Sequence, residues 1–121
     1  MGKYMMMFGG VDLDRRHDAA LAARTFEQFT KWIDTLRASG HFIQSHRLRD
    51  QTGARLSVRG GQVVEGPFME TKEAVGGVLM IESASLEEAV KLARGCPLLE
   101  LGNGYVEVRV VDRSTVHPGP A

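Results

Sequence analysis

Two short runs in this chain, Tyr4 to Phe8 and Val78 to Ile81, are apolar on both of their alternating sides. In the first, Tyr4, Met6 and Phe8 fall on one side and Met5 and Met7 on the other, and Gly9-Gly10 ends the run. A strand points successive side chains to opposite faces, so a doubly apolar run has to be covered above and below. Two further runs alternate instead. Phe42 to Arg49 sets Phe42, Gln44, His46 and Leu48 against Ile43, Ser45, Arg47 and Arg49, while Tyr105 to Val111 turns Val106, Val108 and Val110 inward and Glu107 and Arg109 outward. These patterns predict two central strands flanked by two edge strands.

Helical spacing fills the gaps between them. From Ala22 the residues Phe26, Phe29, Ile33 and Leu36 form one apolar stripe, and Gly40 is placed to end the helix in a left-handed conformation. Ser85-Leu86-Glu87-Glu88 reads as a capping box, followed by a stripe of Leu86, Ala89, Val90 and Ala93 that stops near Gly95 and Pro97. Ala54 to Arg59 and Gln62 to Glu65, joined by Gly60-Gly61, read as a hairpin with a primed two-residue turn. The order β, α, β, hairpin, β, α, β predicts an α+β fold: a ferredoxin-like βαββαβ sandwich with an inserted β-hairpin and both helices on one face of the sheet. Two helices cover one face only, so the second apolar face is expected to pack on the same face of another copy, giving a homodimer. One domain spanning 1–121 is expected, with 113–121 as a loose tail of Ser, Thr, His, Pro and Gly.

Composition removes several function classes. Lys plus Arg and Asp plus Glu stand at 15 each, so no global field draws a polyanion, and nucleic acid is not an expected partner. The single Cys rules out an internal disulfide, and Cys96 reads as a small packing residue. No apolar run approaches the roughly 18 residues that cross a bilayer, and Met5-Met6-Met7-Phe8 lacks the flanks of a secretion signal. The expected location is therefore cytoplasmic, away from membranes. His41 and His46 sit five apart, no metal-ligand spacing occurs, and neither a dinucleotide fingerprint nor a phosphate-binding loop is present, so no metal and no cofactor are expected.

Charge is nonetheless segregated locally. Arg47, Arg49, Arg55 and Arg59 face Asp50 alone, whereas Glu65 to Glu73 carries three Glu against Lys72. Arg forks match carboxylate or phosphate oxygens, which makes Arg47 and Arg59, with Phe68 and Lys72, candidates for binding a small anionic or aromatic ligand. The alternative is a solvated face paired with the Glu loop. His46, on a partly apolar strand face that a dimer would enclose, is the best candidate general base, with Glu65 or Glu70 as the carboxylate that orients it or acts alone. The alternative is a hydrogen-bonded edge-strand His without chemistry, and a Gly-Pro-Phe loop in which Pro67 fixes φ and Phe68 plugs the core. Trp32 fits either core or interface.

The segment Glu65-Gly66-Pro67-Phe68-Met69-Glu70-Thr71-Lys72-Glu73, followed by Gly76-Gly77, Glu82, Ser85-Leu86-Glu87-Glu88-Ala89, Cys96-Pro97 and Val106-Glu107-Val108-Arg109, resembles the YCII-related, DGPF-motif family over roughly residues 3 to 111. The resemblance implies a dimeric α/β barrel of ferredoxin-like subunits. The family's Asp before Gly-Pro-Phe is Glu65 here, which keeps the charge and lengthens the reach. A related branch is associated with a His and Asp pair and a dehydrochlorinase acting on a hydroxylated chloroaromatic; its His has no counterpart registered here, His17 lying before the first helix. Two functions follow as expectations. One is a small homodimeric enzyme in which His46 with Glu65 or Glu70 moves a proton on a small aromatic or carbonyl substrate in a sheet-lined cleft. The other is a noncatalytic regulatory dimer that binds a ligand or protein, the resemblance implying an extracytoplasmic-function sigma factor as a partner.

Overall fold

The doubly apolar runs become neighbouring central strands. A computed structural model describes residues 1–10, 19–49, 53–66, 75–100 and 104–112. Its elements are β1 (Gly2–Gly9), α1 (Ala19–Ala38), β2 (Phe42–Arg47), the hairpin β3 (Leu56–Arg59) and β4 (Gln62–Glu65), β5 (Val75–Ser83), α2 (Leu86–Ala93), a 3-10 turn (Pro97–Glu100) and β6 (Tyr105–Val110). β2, β5, β1 and β6 form one antiparallel sheet in that order, so β1 and β5 are central and β2 and β6 are edges, as the hydrophobic patterns predict. β1 and β2 run parallel with β5 between them, and β5 and β6 run parallel with β1 between them. This interleaving is the ferredoxin-like arrangement.

One face of this sheet is sealed by the helices. Tyr4, Met6, Phe8, Leu79 and Ile81 are buried against Trp32, Ile33 and Leu36 of α1 and Ala89 and Ala93 of α2. Each large side chain so buried contributes about 1.5–3 kcal/mol. Phe8, Phe29 and Trp32 meet edge to face at centroid distances of 5.4, 5.5 and 6.0 Å. Trp32 is thus core, and its indole N–H donates to the Leu92 carbonyl at 3.3 Å, tying α1 to α2. Of the expected stripe of α1, Phe29, Ile33 and Leu36 meet the core, but Thr25 and Trp32 are buried beside them and Phe26 is half exposed. On α2 the expected Leu86 also lies outside, and Ala89 and Ala93 carry the contact because alanines let the helix approach the sheet closely. Cys96 is buried beside them, and burial pushes its thiol up to about 11, so it serves packing rather than reactivity.

The expected capping box forms. Ser85 Oγ accepts from Glu88 N–H at 3.1 Å, and Glu88 Oε1 in turn accepts from Ala84 N–H at 3.0 Å and from the buried Ser83 hydroxyl. Those hydrogen bonds, the Ser83 one first, hold the Glu88 carboxyl below its ordinary value.

The other sheet face carries no helix among the described residues. Met5 pairs with Met80 and Met7 with Val78, all four half-buried. Polar residues extend each row to the edges. Gln44 and Arg109 flank the Met80–Met5 row, and His46 and Glu107 flank the Val78–Met7 row. The hairpin forms a separate two-stranded sheet. Gly60 and Gly61 both take positive φ, 58° and 78°, which is what its tight turn requires.

Candidate functional site

β2 places His46. The pairing of β2 with β5 is regular from Gln44 to Arg47 but slips between Phe42 and Gln44, so Ile43 is an extra residue in a bulge. Strict alternation along Phe42 to Arg49 would put Phe42 on the His46 side. The bulge reverses this: Phe42 lies opposite Ile81 on the helix-covered side, packed against the core with the Arg37 guanidinium 4.4 Å above its ring, while Gln44 and His46 share the open face with Met80 and Val78. The His46 ring is exposed, and its Nε2 lies 3.1 Å from Gln44 Oε1. In the tautomer with the proton on Nε2, that N–H donates to the amide oxygen and Nδ1 is the basic nitrogen. His41, five residues earlier, is committed to structure: its Nδ1–H donates to the Glu82 carbonyl at 2.8 Å, and Glu82 N–H donates to the His41 carbonyl at 2.8 Å.

Glu65 and Arg59 belong to the hairpin. Leu56 pairs with Glu65 and Val58 with Val63 on one side, and Ser57 pairs with Val64 and Arg59 with Gln62 on the other. Glu65 therefore shares a side with three exposed apolar residues and stands back to back with Arg59. The two charges meant to compensate each other across the hairpin point in opposite directions. Arg47 ends β2 on the covered side, 5.8 Å over the Phe26 ring. Phe68, Glu70 and Lys72 lie outside the described residues, as does His17.

A second feature takes in one residue expected to bind a ligand, Arg47, among others that the sequence reading did not single out. Between α1, the end of β2 and the start of β5 lies a cleft of about 340 Å³, walled by Phe8, Phe26 and Phe29 with Thr25 inside and Arg47 and Arg37 at its edges. Thr25 and Gly77 escape notice because a helix stripe is read from its large apolar residues and a strand from its side chains. The usable signal was a Gly-Gly pair immediately before an apolar run that must be a central strand. No helix among the described residues is long and apolar enough to cross a membrane.

The family model of the YCII-related domain matches residues 8–114. The chain is also similar to an uncharacterized protein, R00369, of Rhizobium meliloti (strain 1021), with 45% identity over 47 residues. That stretch is 39% of this chain and spans 38% of the relative's length.

Proposed function

The chain belongs to the YCII-related family, and from that premise we propose that it works as a homodimer in which the open faces of two sheets pack together and His46 exchanges a proton with a small aromatic or carbonyl molecule held between them. The observation that carries this reading is the His46 imidazole standing in the same cross-strand row as Val78 and Met7, on an apolar face that the described residues leave uncovered. Four half-buried apolar side chains ringed by polar ones is a self-complementary surface: the centre loses water on pairing and the rim stays solvated. Gln44 holds the ring so that Nδ1 is free to take a proton from a carbon or hydroxyl next to a carbonyl. Glu65, or Glu70 beyond the described residues, is the carboxylate this reading assigns to the resulting imidazolium.

Two measurements test it. Light scattering at micromolar concentration should return twice the chain mass of 13.3 kDa, and a monomer overturns the dimer. The His46 imidazole titration, followed by NMR, should move on Glu65→Gln or Glu70→Gln; indifference to both overturns the acid–base pair. A noncatalytic reading has its own support in Leu56, Val58 and Val63, which are 66–70% exposed on one side of the hairpin. An apolar strip of that kind suits a protein partner, and the extracytoplasmic-function sigma factor is the one that the motif resemblance implies. On that reading Val58→Lys abolishes binding of the purified sigma factor and leaves the His46 titration unchanged.

A further inference from the structure

Thr25 is out of character for its surroundings. It is only 4% exposed, it lines the cleft between α1, the end of β2 and the start of β5, and its hydroxyl has no hydrogen-bond partner among the described residues. The other threonine hydroxyls of α1 are satisfied by their own helix, Thr30 on the Phe26 carbonyl at 3.0 Å and Thr35 on the Trp32 carbonyl at 2.6 Å. A buried hydroxyl without a partner is unfavourable and calls for one. The sheet side of the same cleft is bare. Along the helix-covered sides of β1 and β5, Phe8, Leu79 and Ile81 carry buried side chains, whereas Gly77, paired with Phe8 and Arg47, carries none. Glycine inside a strand weakens it, and it marks places where a ligand or another backbone comes close. A Cβ at Gly77 would sit 3.2 Å from the His46 carbonyl oxygen, so the floor is open down to the backbone.

We infer that this cleft binds a small uncharged molecule, about one ring in size, that carries a single hydroxyl or carbonyl oxygen: its apolar body lies over Gly77 against Ile33, and its oxygen bonds the Thr25 hydroxyl. Phe8 and Phe29, already in edge-to-face contact at 5.4 Å, stay closed as one wall, and the molecule takes only the space that is open beside them. That space, about 340 Å³, is at the small end of the ~300–1,000 Å³ range of ligand pockets. A hydroxyl donates as well as accepts, so Thr25 serves either oxygen type. Neutrality follows from the walls. Arg37 at the edge already donates to Asp34 at 3.3 Å, Arg47 is engaged over the Phe26 ring, and no carboxylate lines the cleft among the described residues. An ion entering it would lose its hydration without gaining a counter-charge. The site lies on the opposite sheet face from the His46 imidazole and depends on neither the dimer nor proton transfer.

The test is amide-resolved NMR on the full chain with 4-methylphenol, toluene and 4-methylbenzoate. 4-Methylphenol should shift Thr25, Ile33 and Gly77 saturably, with a Kd at or below about 1 mM. Toluene, which lacks the oxygen, should bind about tenfold more weakly, and 4-methylbenzoate at least about tenfold more weakly. Thr25→Val should remove the preference for 4-methylphenol over toluene, while Thr30→Val, whose hydroxyl is already satisfied, should keep it. Without ligand, Thr25→Val should raise the unfolding midpoint, because it deletes an unpaired buried hydroxyl. Gly77→Val should abolish binding; if that variant fails to fold, the shift map and the Thr25→Val pair of measurements decide. A lowered midpoint in Thr25→Val, 4-methylbenzoate binding as tight as 4-methylphenol, shifts confined to the face of His46 and Met80, or no saturable shift at all would each overturn the site.

Discussion

Met6 and Met7 are consecutive in β1, yet Met6 has no exposed surface beneath the helices while Met7 is half-buried on the far side. The same holds one strand over, where Leu79 and Ile81 are sealed and Val78 and Met80 are not. In the two central strands both faces are thus apolar, but only one of them is covered. Hydrophobicity along a strand reports what has to be buried, and the number of helices reports how much of it this chain buries by itself. The difference teaches that the open face is a demand on something outside the described residues, and the covered face is the fold itself.

Substitution on each face separates these roles, starting with the largest effect. Leu79→Ala leaves a cavity under the helices and is expected to lower stability by about 2–5 kcal/mol in a denaturant titration. Met80→Ala, its neighbour on the open face, should cost the isolated chain less than half as much. Equal losses would mean that the open face is as closely packed as the covered one. Met80→Asp is the sharper version. It should leave the chain folded, because a half-buried side chain can turn its carboxylate to water, and it should convert the proposed dimer to a monomer by light scattering, because pairing would bury that charge.

Much of this contrast was legible before any coordinates. The doubly apolar runs located the central strands, the capping box at Ser85 opened α2 where it was expected, and Gly60-Gly61 turned the hairpin. What could not be read had local causes. The bulge at Ile43 leaves no mark in composition, so alternation alone assigns Phe42 to the wrong face. The stripe of α1 held at Phe29, Ile33 and Leu36 but failed at its N-terminal end, where Thr25 is buried and Phe26 is half exposed under the Arg47 guanidinium. Among the candidate site residues, strand register explains why His46 and Arg47 diverge to opposite faces and why Glu65 and Arg59 do the same on the hairpin. Charge segregation along the chain reads as a patch only when neighbouring residues share a side.

The end of β5 repeats the two-face comparison in polar groups. Ser83 is fully buried on the covered side and bonds the Glu88 carboxylate, which Ala84 N–H also reaches. The folded-state value of Glu88 is therefore lowered from its ordinary 4.5, so its contribution to stability is present above that pH and is lost as pH falls through the lower folded value. Glu88→Gln should flatten the stability profile in that acid window and leave the high-pH limb parallel to the unaltered chain.

The smallest effect belongs to the open face. Arg109 and Glu107 lie 3.7 Å apart on β6 with most of both side chains in water, a geometry worth about 0.2–1 kcal/mol and screened by salt. Arg109→Ala should change the unfolding midpoint of the monomeric Met80→Asp variant only slightly, and that difference should vanish in molar salt. In the dimeric chain Arg109 lies at the rim of the proposed interface, where a charge acts chiefly on the association rate and its salt dependence. Comparing the same substitution in the two backgrounds isolates the interface. A loss of equal size in both would place Arg109 outside any contact between copies, and a loss confined to the dimer, steeper at low salt, would place the rim of the pairing at β6.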